Sequence, residues 1–156
     1  MTAAELQAFF EAEIPISVPM GLQVVVLKPG SIQLMAPLAA NRNDKHTAFG
    51  GSIASMLLMA GWGLLHVELR RRELEASVVI QKSEFLYHRP VDGVITAYCD
   101  LPSEDQWTRF ISGLERRGRA RIAMTSWVAG PDCAAVTMDG RYVADRRGEQ
   151  VEGLQL

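Results

Sequence analysis

Residues 43–67, NDKHTAFGGSIASMLLMAGWGLLHV, carry the pattern that decides the fold. A polar loop runs into two adjacent glycines, Gly50 and Gly51, and from Thr47 to Val67 there is no Asp, Glu, Lys or Arg. An uncharged run of that length qualifies as a membrane-spanning candidate. Its content argues otherwise. Gly50, Gly51, Gly61, Gly63, Ser52, Ser55 and His66 dilute it, and strand-like segments flank it on both sides. A helix apolar on every side is otherwise a helix buried on every side, so the rest of the chain must wrap it.

Outward from that helix, the wrapping reads as strands. On the N-terminal side, LQVVVLKPGSIQLMAPL gives two short strands joined at Pro29-Gly30, where proline sets the first central residue of a type II turn and glycine takes the positive φ of the second. Ahead of them, MTAAELQAFFEAEIP reads as a short amphipathic helix over residues 2–12. Its glutamates, Glu5, Glu11 and Glu13, and its lack of a basic region exclude a secretory signal. On the C-terminal side, Arg70, Arg71 and Arg72 mark the helix end, and ASVVIQKSEFLYHRPV has the β-branched and aromatic content of a long strand closed by Pro90. VITAYCDL follows a turn at Asp92-Gly93. In SEDQWTRFISGLERRG, Ser103 and Gln106 are spaced as a capping box, Trp107, Phe110, Ile111 and Leu114 share a face, and Gly118 stops the helix. RARIAMTSWVA and CAAVTMDGRYVA supply two more strands, which leaves residues 146–156 as a loosely ordered tail. Only a curved antiparallel sheet covers one long helix with elements in this order, so the expected class is α+β.

Composition sets the outer bounds. The chain has 156 residues, 48% of them hydrophobic, which fits a single globular domain with its own core. A formal net charge of −2 gives no global attraction to nucleic acid or to an anionic membrane, so any anion recognition by the arginines between Arg70 and Arg121 must be local. Cys99 and Cys133 lie in alternating apolar segments without metal or redox spacing and read as buried free thiols of a cytoplasmic protein. His46, His66 and His88 show no ligand spacing, so no metal is expected. Gly61-Trp62-Gly63 lies inside the helix and completes no dinucleotide fingerprint.

Four segments taken in order carry a family resemblance: NDKHTAFGGS opening the apolar helix, YHRPV ending the next long strand, GRAR starting a later one, and GRYVA near the end. They resemble the hotdog-fold thioesterase superfamily, most nearly a bacterial branch sometimes fused behind an acetyltransferase domain. The likeness spans a core of about residues 15–145. It implies a hotdog fold, a homodimer or dimer of dimers, acyl-CoA or acyl-carrier-protein substrates bound at a subunit interface, and no metal or organic cofactor.

The chemistry gives the glycine pair a purpose. Water attack on a thioester places negative charge on the carbonyl oxygen, and the first N–H groups of a helix have no intrahelical partner and face an anion favourably. Glycine removes the Cβ that would block approach, so the backbone N–H of Gly50 or Gly51 is the expected oxyanion donor. The bland alternative is that both glycines serve close packing. The resemblance implies that Asn43 positions water or the thioester; its carboxamide is too weak a base to deprotonate water, and turn formation is its competing role. Phe49 stands where many relatives carry histidine, and Leu58 stands where many carry a helix carboxylate. A general base must therefore come from outside the helix. Asp44, His46, Ser83 and Glu84 are the candidates, with Ser83 matching a polar strand position that orders the site in relatives. Ser83 and Tyr87 share strand parity, and Glu84 has the opposite parity. Phe49, Ser52, Met56, Tyr87 and Arg89 complete the expected substrate-contacting set. Met59, Trp62, Leu57 and Leu58 are either acyl pocket or plain core, and the arginines are candidates for CoA phosphates or an acidic carrier. A binding module that holds acyl thioesters without cleaving them is the rival class; a dehydratase suffers more from the missing acid–base pair.

Overall fold

The computed structural model describes residues 1–146, so the expected tail falls, apart from Arg146, outside the described residues. The elements are α1 (Ala3–Glu13), α2 (Ser17–Met20), β1 (Gln23–Lys28), β2 (Ser31–Ala36), a 3-10 turn (Leu38–Ala40), α3 (Gly50–Arg70), β3 (Ser77–Tyr87), β4 (Ile95–Asp100), α4 (Glu104–Arg117), β5 (Arg119–Ala129) and β6 (Ala134–Asp145). Six strands form one antiparallel sheet in the order β1-β2-β4-β5-β6-β3, so β1 and β3 are its edges. The Pro29-Gly30 turn joins β1 to β2 with Gly30 at φ 80, as a type II turn requires.

The sheet curls its apolar face onto α3. Alternate residues of β5, Ala120, Ile122, Met124, Ser126 and Val128, are buried, and so are Ile95, Ala97 and Cys99 of β4. Inside the helix, Gly61 and Gly63 permit close approach. A Cβ at Gly61 would stand 2.2 Å from the Tyr142 hydroxyl, and one at Gly63 would stand 2.8 Å from Phe10 of α1. The Tyr142 O–H donates to the Leu58 carbonyl at 3.2 Å. Helix α3 is therefore the core helix of the sheet, as its diluted apolar run suggested.

Burial is not complete on every side, however. Ser55, Leu58, Trp62 and His66, spaced three or four residues apart, form a half-buried stripe. Phe9 of α1 covers part of it, with ring centroids 5.6 Å from Trp62 and 5.0 Å from His66. His66 also accepts from Arg70 Nε at 3.1 Å. Burial, with the nearby Arg70 charge, pushes the His66 pKa down to about 4, so its ring stays neutral.

Three local expectations fail, each for a physical reason. Ser103 is the N-cap of α4, but its hydroxyl donates to Gln106 Oε1 at 3.1 Å instead of accepting from the helix backbone. The reciprocal capping box is at α1, where Thr2 Oγ1 accepts from Glu5 N and Glu5 Oε2 accepts from Thr2 N. Cys133 is exposed, because β6 begins one residue later and the thiol falls in the β5–β6 turn, whereas Cys99 is buried. Arg71 and Arg72 are not free for an anion. Both pair with Glu68, the first acidic residue after the uncharged run, which is 3% exposed and also accepts from Gly30 N at 3.0 Å. Arg72 further covers the Trp107 ring at 4.9 Å.

Candidate functional site

The segment from Asn41 to Phe49 sets where α3 begins. Asn41 is buried and donates Nδ2 to the Met20 and Pro37 carbonyls, both at 2.8 Å, while its own carbonyl accepts from Phe49 N at 2.7 Å. Between these anchors the chain folds back on itself. Arg42 bridges Ala48, and Asn43 N donates to Thr47 O at 2.8 Å. The Asn43 side chain fills this small loop: Oδ1 accepts from Lys45 N at 2.9 Å and Thr47 N at 3.1 Å, and Nδ2 donates to Thr47 Oγ1 at 2.9 Å. Ala48 N ties the loop to Val91 O at 2.7 Å. Asp44, Lys45 and His46 form the exposed tip, with His46 in a left-handed conformation at φ 63.

Helix α3 then starts without a side-chain cap. Phe49 is its N-cap in an extended conformation, and its side chain offers no acceptor. The N–H groups of Gly50, Gly51 and Ser52 meet no acceptor among the described residues, whereas Ile53 N is already bonded to Phe49 O. Two aromatic side chains flank these donors. The Phe49 ring, 55% exposed, folds over Gly51, where a Cβ would come within 2.4 Å of it. Tyr87, 52% exposed, reaches from the end of β3 and donates its O–H to Gly50 O at 2.9 Å. Burial raises the Tyr87 pKa, so the phenol remains a donor at neutral pH.

The expected site residues divide around this point. Gly50, Gly51, Phe49, Ser52 and Tyr87 come together at the helix start. Asn43 lies next to them but uses its carboxamide on the loop, and Asp44 and His46 sit at the loop tip. Ser83 pairs across from Gly140 as Tyr87 pairs across from Val136, so both lie on the concave face. The four-residue separation along β3 places Ser83 about 13 Å from Tyr87. Met56 is fully buried in the core. The Arg89 guanidinium is held by Asp132 at 3.7 Å and by the Cys133 thiol at 3.4 Å. Asn41, which pins the helix start, has no functional signature in sequence beyond its polar type.

An uncapped helix start beside a glycine pair, inside a sheet of this order, places the chain among known proteins. Residues 3–146 match the family described as "Putative thioesterase (yiiD_Cterm)". The chain belongs to this family. A protein of unknown function from Chlorobaculum tepidum is 31% identical, with 92% of this chain and 94% of that chain covered at a TM-score of 0.87. A Shewanella oneidensis protein described as a "putative thioesterase" is 24% identical, covering 92% of this chain and 96% of that one at a TM-score of 0.82. A Haemophilus influenzae thioesterase shares the fold at 12% identity, covering 97% and 95% at a TM-score of 0.72. The fold is thus the hotdog fold. Within the yiiD C-terminal family, two departures noted in the sequence now have positions: Phe49 is the N-cap whose ring covers Gly51, and Leu58 lies on the open stripe of α3.

Proposed function

We propose that this protein hydrolyses acyl thioesters of coenzyme A or an acyl carrier protein, and that it works as a homodimer with each site at the subunit boundary. The observation that carries this reading is the start of α3: unpaired N–H groups at Gly50 and Gly51, no capping side chain, and Phe49 and Tyr87 on either side. The thioester oxygen accepts from these N–H groups. Water adds to the carbonyl carbon, and the developing oxyanion is held by donors that are already oriented. Collapse of the adduct breaks the C–S bond, the sulfur leaves as thiolate, and the proton lost by water returns to it to give acid and free thiol. Asp44, His46 and Ser83 remain the candidates for moving that proton, and their separate replacement sorts them by pH–rate profile. A boundary site accounts for the exposure of Phe49 and Tyr87, which stand beside the donors without enclosing a cleft in one chain.

The test is a donor deletion that spares the helix. Gly50 is the first residue of α3 and Phe49 before it is already extended, so Gly50→Pro fits both constraints and removes one N–H. Its Cβ would meet Tyr87 at 3.5 Å, an ordinary contact. With a panel of acyl-CoAs and thiol release as readout, kcat should fall by about 10²–10³ with the melting temperature kept. Wild-type protein that releases no thiol from any acyl-CoA or acyl carrier protein sinks the hydrolase reading. An unchanged kcat in Gly50→Pro removes Gly50 from the role.

One observation favours a second reading, in which the chain binds acyl thioesters without cleaving them. The acid–base position on α3 is Leu58, and the acidic residue that the helix does carry, Glu68, is held by Arg71 and Arg72. Saturable acyl-CoA binding with no turnover over hours selects that reading.

A further inference from the structure

A polar concavity lies far from the start of α3, between α4 and the start of β5. The cleft, about 250 Å³ in volume, is lined by Gln106, Arg109, Phe110, Arg117 and Arg121, among others.

Its walls follow from helix spacing. Arg109, Gly113 and Arg117 lie four residues apart on one face of α4, so two guanidiniums flank a position that has no side chain. Arg117 folds back into that notch, where a Cβ at Gly113 would stand 2.6 Å from Arg117 Nη2 and 3.5 Å from Ala120. Arg121, on β5, lines the same cleft. None of these three arginines has a carboxylate partner among the described residues, whereas Arg71, Arg72, Arg89 and Arg119 all do. Three like charges around one concavity repel one another until an anion joins them.

We propose that the α4–β5 cleft binds the diphosphate group of a nucleotide. Three guanidiniums match the charge of a diphosphate better than that of a carboxylate or a single phosphate ester, and each offers paired N–H donors to phosphate oxygens. Arg121 pairs with Val143 and Val143 with Val79, eight residues along β3 from Tyr87, so the cleft lies on the order of 26 Å from the helix start in the same chain. The proposal goes beyond the thioesterase reading and stands on anion chemistry alone. The diphosphate has two sources, coenzyme A and a free nucleotide.

The test is an amide NMR titration of the whole protein with pyrophosphate, ADP and coenzyme A at constant ionic strength. Saturable shifts at Gly113, Arg117 and Arg121 are expected, with affinity falling about tenfold or more in Arg117→Gln and in Arg121→Gln. Arg116→Gln should bind normally, since its Nε is turned back to Ser112 O at 3.2 Å. Tighter binding of coenzyme A than of ADP assigns the cleft to the acyl carrier, and equal binding assigns it to a free nucleotide. Shifts that do not saturate, that sulfate reproduces equally, or that survive both arginine replacements overturn the proposal. So does tighter binding of polyglutamate than of pyrophosphate, which would make the cleft a docking surface for acidic protein. Binding is read without turnover, so its failure is separate from a failure of hydrolysis.

Discussion

Asn43 and Glu68 show how much of a residue's role depends on what surrounds it. The Asn43 carboxamide makes three short hydrogen bonds within the loop of residues 43–47. Sequence marks Asn43 as part of the polar loop before the glycine pair, but loop closure decides how its amide is used. Glu68 carries a sharper consequence. Burial opposes its ionisation, yet the Gly30 N–H, Arg72 and Arg71 outweigh that and hold the carboxyl below its usual value of 4.5. A lowered folded value means stability that is complete above 4.5 and is lost as pH falls through the folded pKa. Glu68→Gln should cost about 1.5–3 kcal/mol at neutral pH, the range for hydrogen bonds to a charged group. Urea midpoints measured from neutral to acid pH should show a smaller loss of stability below 4.5 in the variant than in the wild type. Parallel curves would mean that the Glu68 charge contributes nothing to folding. In sequence Glu68 reads as ordinary surface charge at a helix end, because its partners come from the next turn and from the distant Gly30.

At the scale of elements, α3 was legible because a run without charge, flanked by strands, has few homes other than a core. The alternation of β5 and the Pro29-Gly30 turn were legible for the same kind of reason, since period and turn chemistry are local. Capping was harder to read. Thr2 and Glu5 carry the same spacing as Ser103 and Gln106, and only the side-chain rotamers distinguish the pair that caps from the pair that bonds to itself. The open stripe on α3 was half hidden, since Ser55 and His66 mark it by their polarity whereas Leu58 and Trp62 between them read as core. Packing against the sheet gives the element its own test. On an exposed helix, Gly→Ala stabilises by about 0.8–1 kcal/mol through propensity. At Gly61 the new methyl would meet the Tyr142 hydroxyl at 2.2 Å in a closed core, so overpacking of about 1–3 kcal/mol should win and Gly61→Ala should lower stability. In a double-mutant cycle, Tyr142→Phe should make the same change less costly by shrinking the clash. Additive effects would show that the hydroxyl is not what Gly61 accommodates.

Across the whole molecule the two sheet edges are treated differently. At β1, Gln7 occupies the edge: its Nε2 donates to Leu22 O at 2.9 Å, its Oε1 accepts from Val24 N at 2.8 Å, and the strand is bulged between Val24 and Val26. On β3, Trp62 Nε1 donates to Val78 O at 2.8 Å near one end, but among the described residues no side chain is seen to cover the stretch from Lys82 to Glu84, which is exposed. An uncovered edge beside the half-buried stripe of α3 is where the proposed second subunit fits. The edge is also self-complementary. Lys82 and Glu84 flank Ser83, so a two-fold axis through Ser83 would set each lysine opposite the other subunit's glutamate in an antiparallel pair. Lys82→Glu would then place like charges opposite each other twice, once on each side of the axis. With about 0.2–1 kcal/mol per cross-strand pair, dimer dissociation should strengthen roughly tenfold. Combining it with Glu84→Lys restores opposite charges in reversed order and should restore the dimer. Sedimentation equilibrium at low ionic strength measures all three proteins. A monomeric wild type would refute the dimer, while a wild-type dimer indifferent to the single reversal would move the contact away from this register of β3.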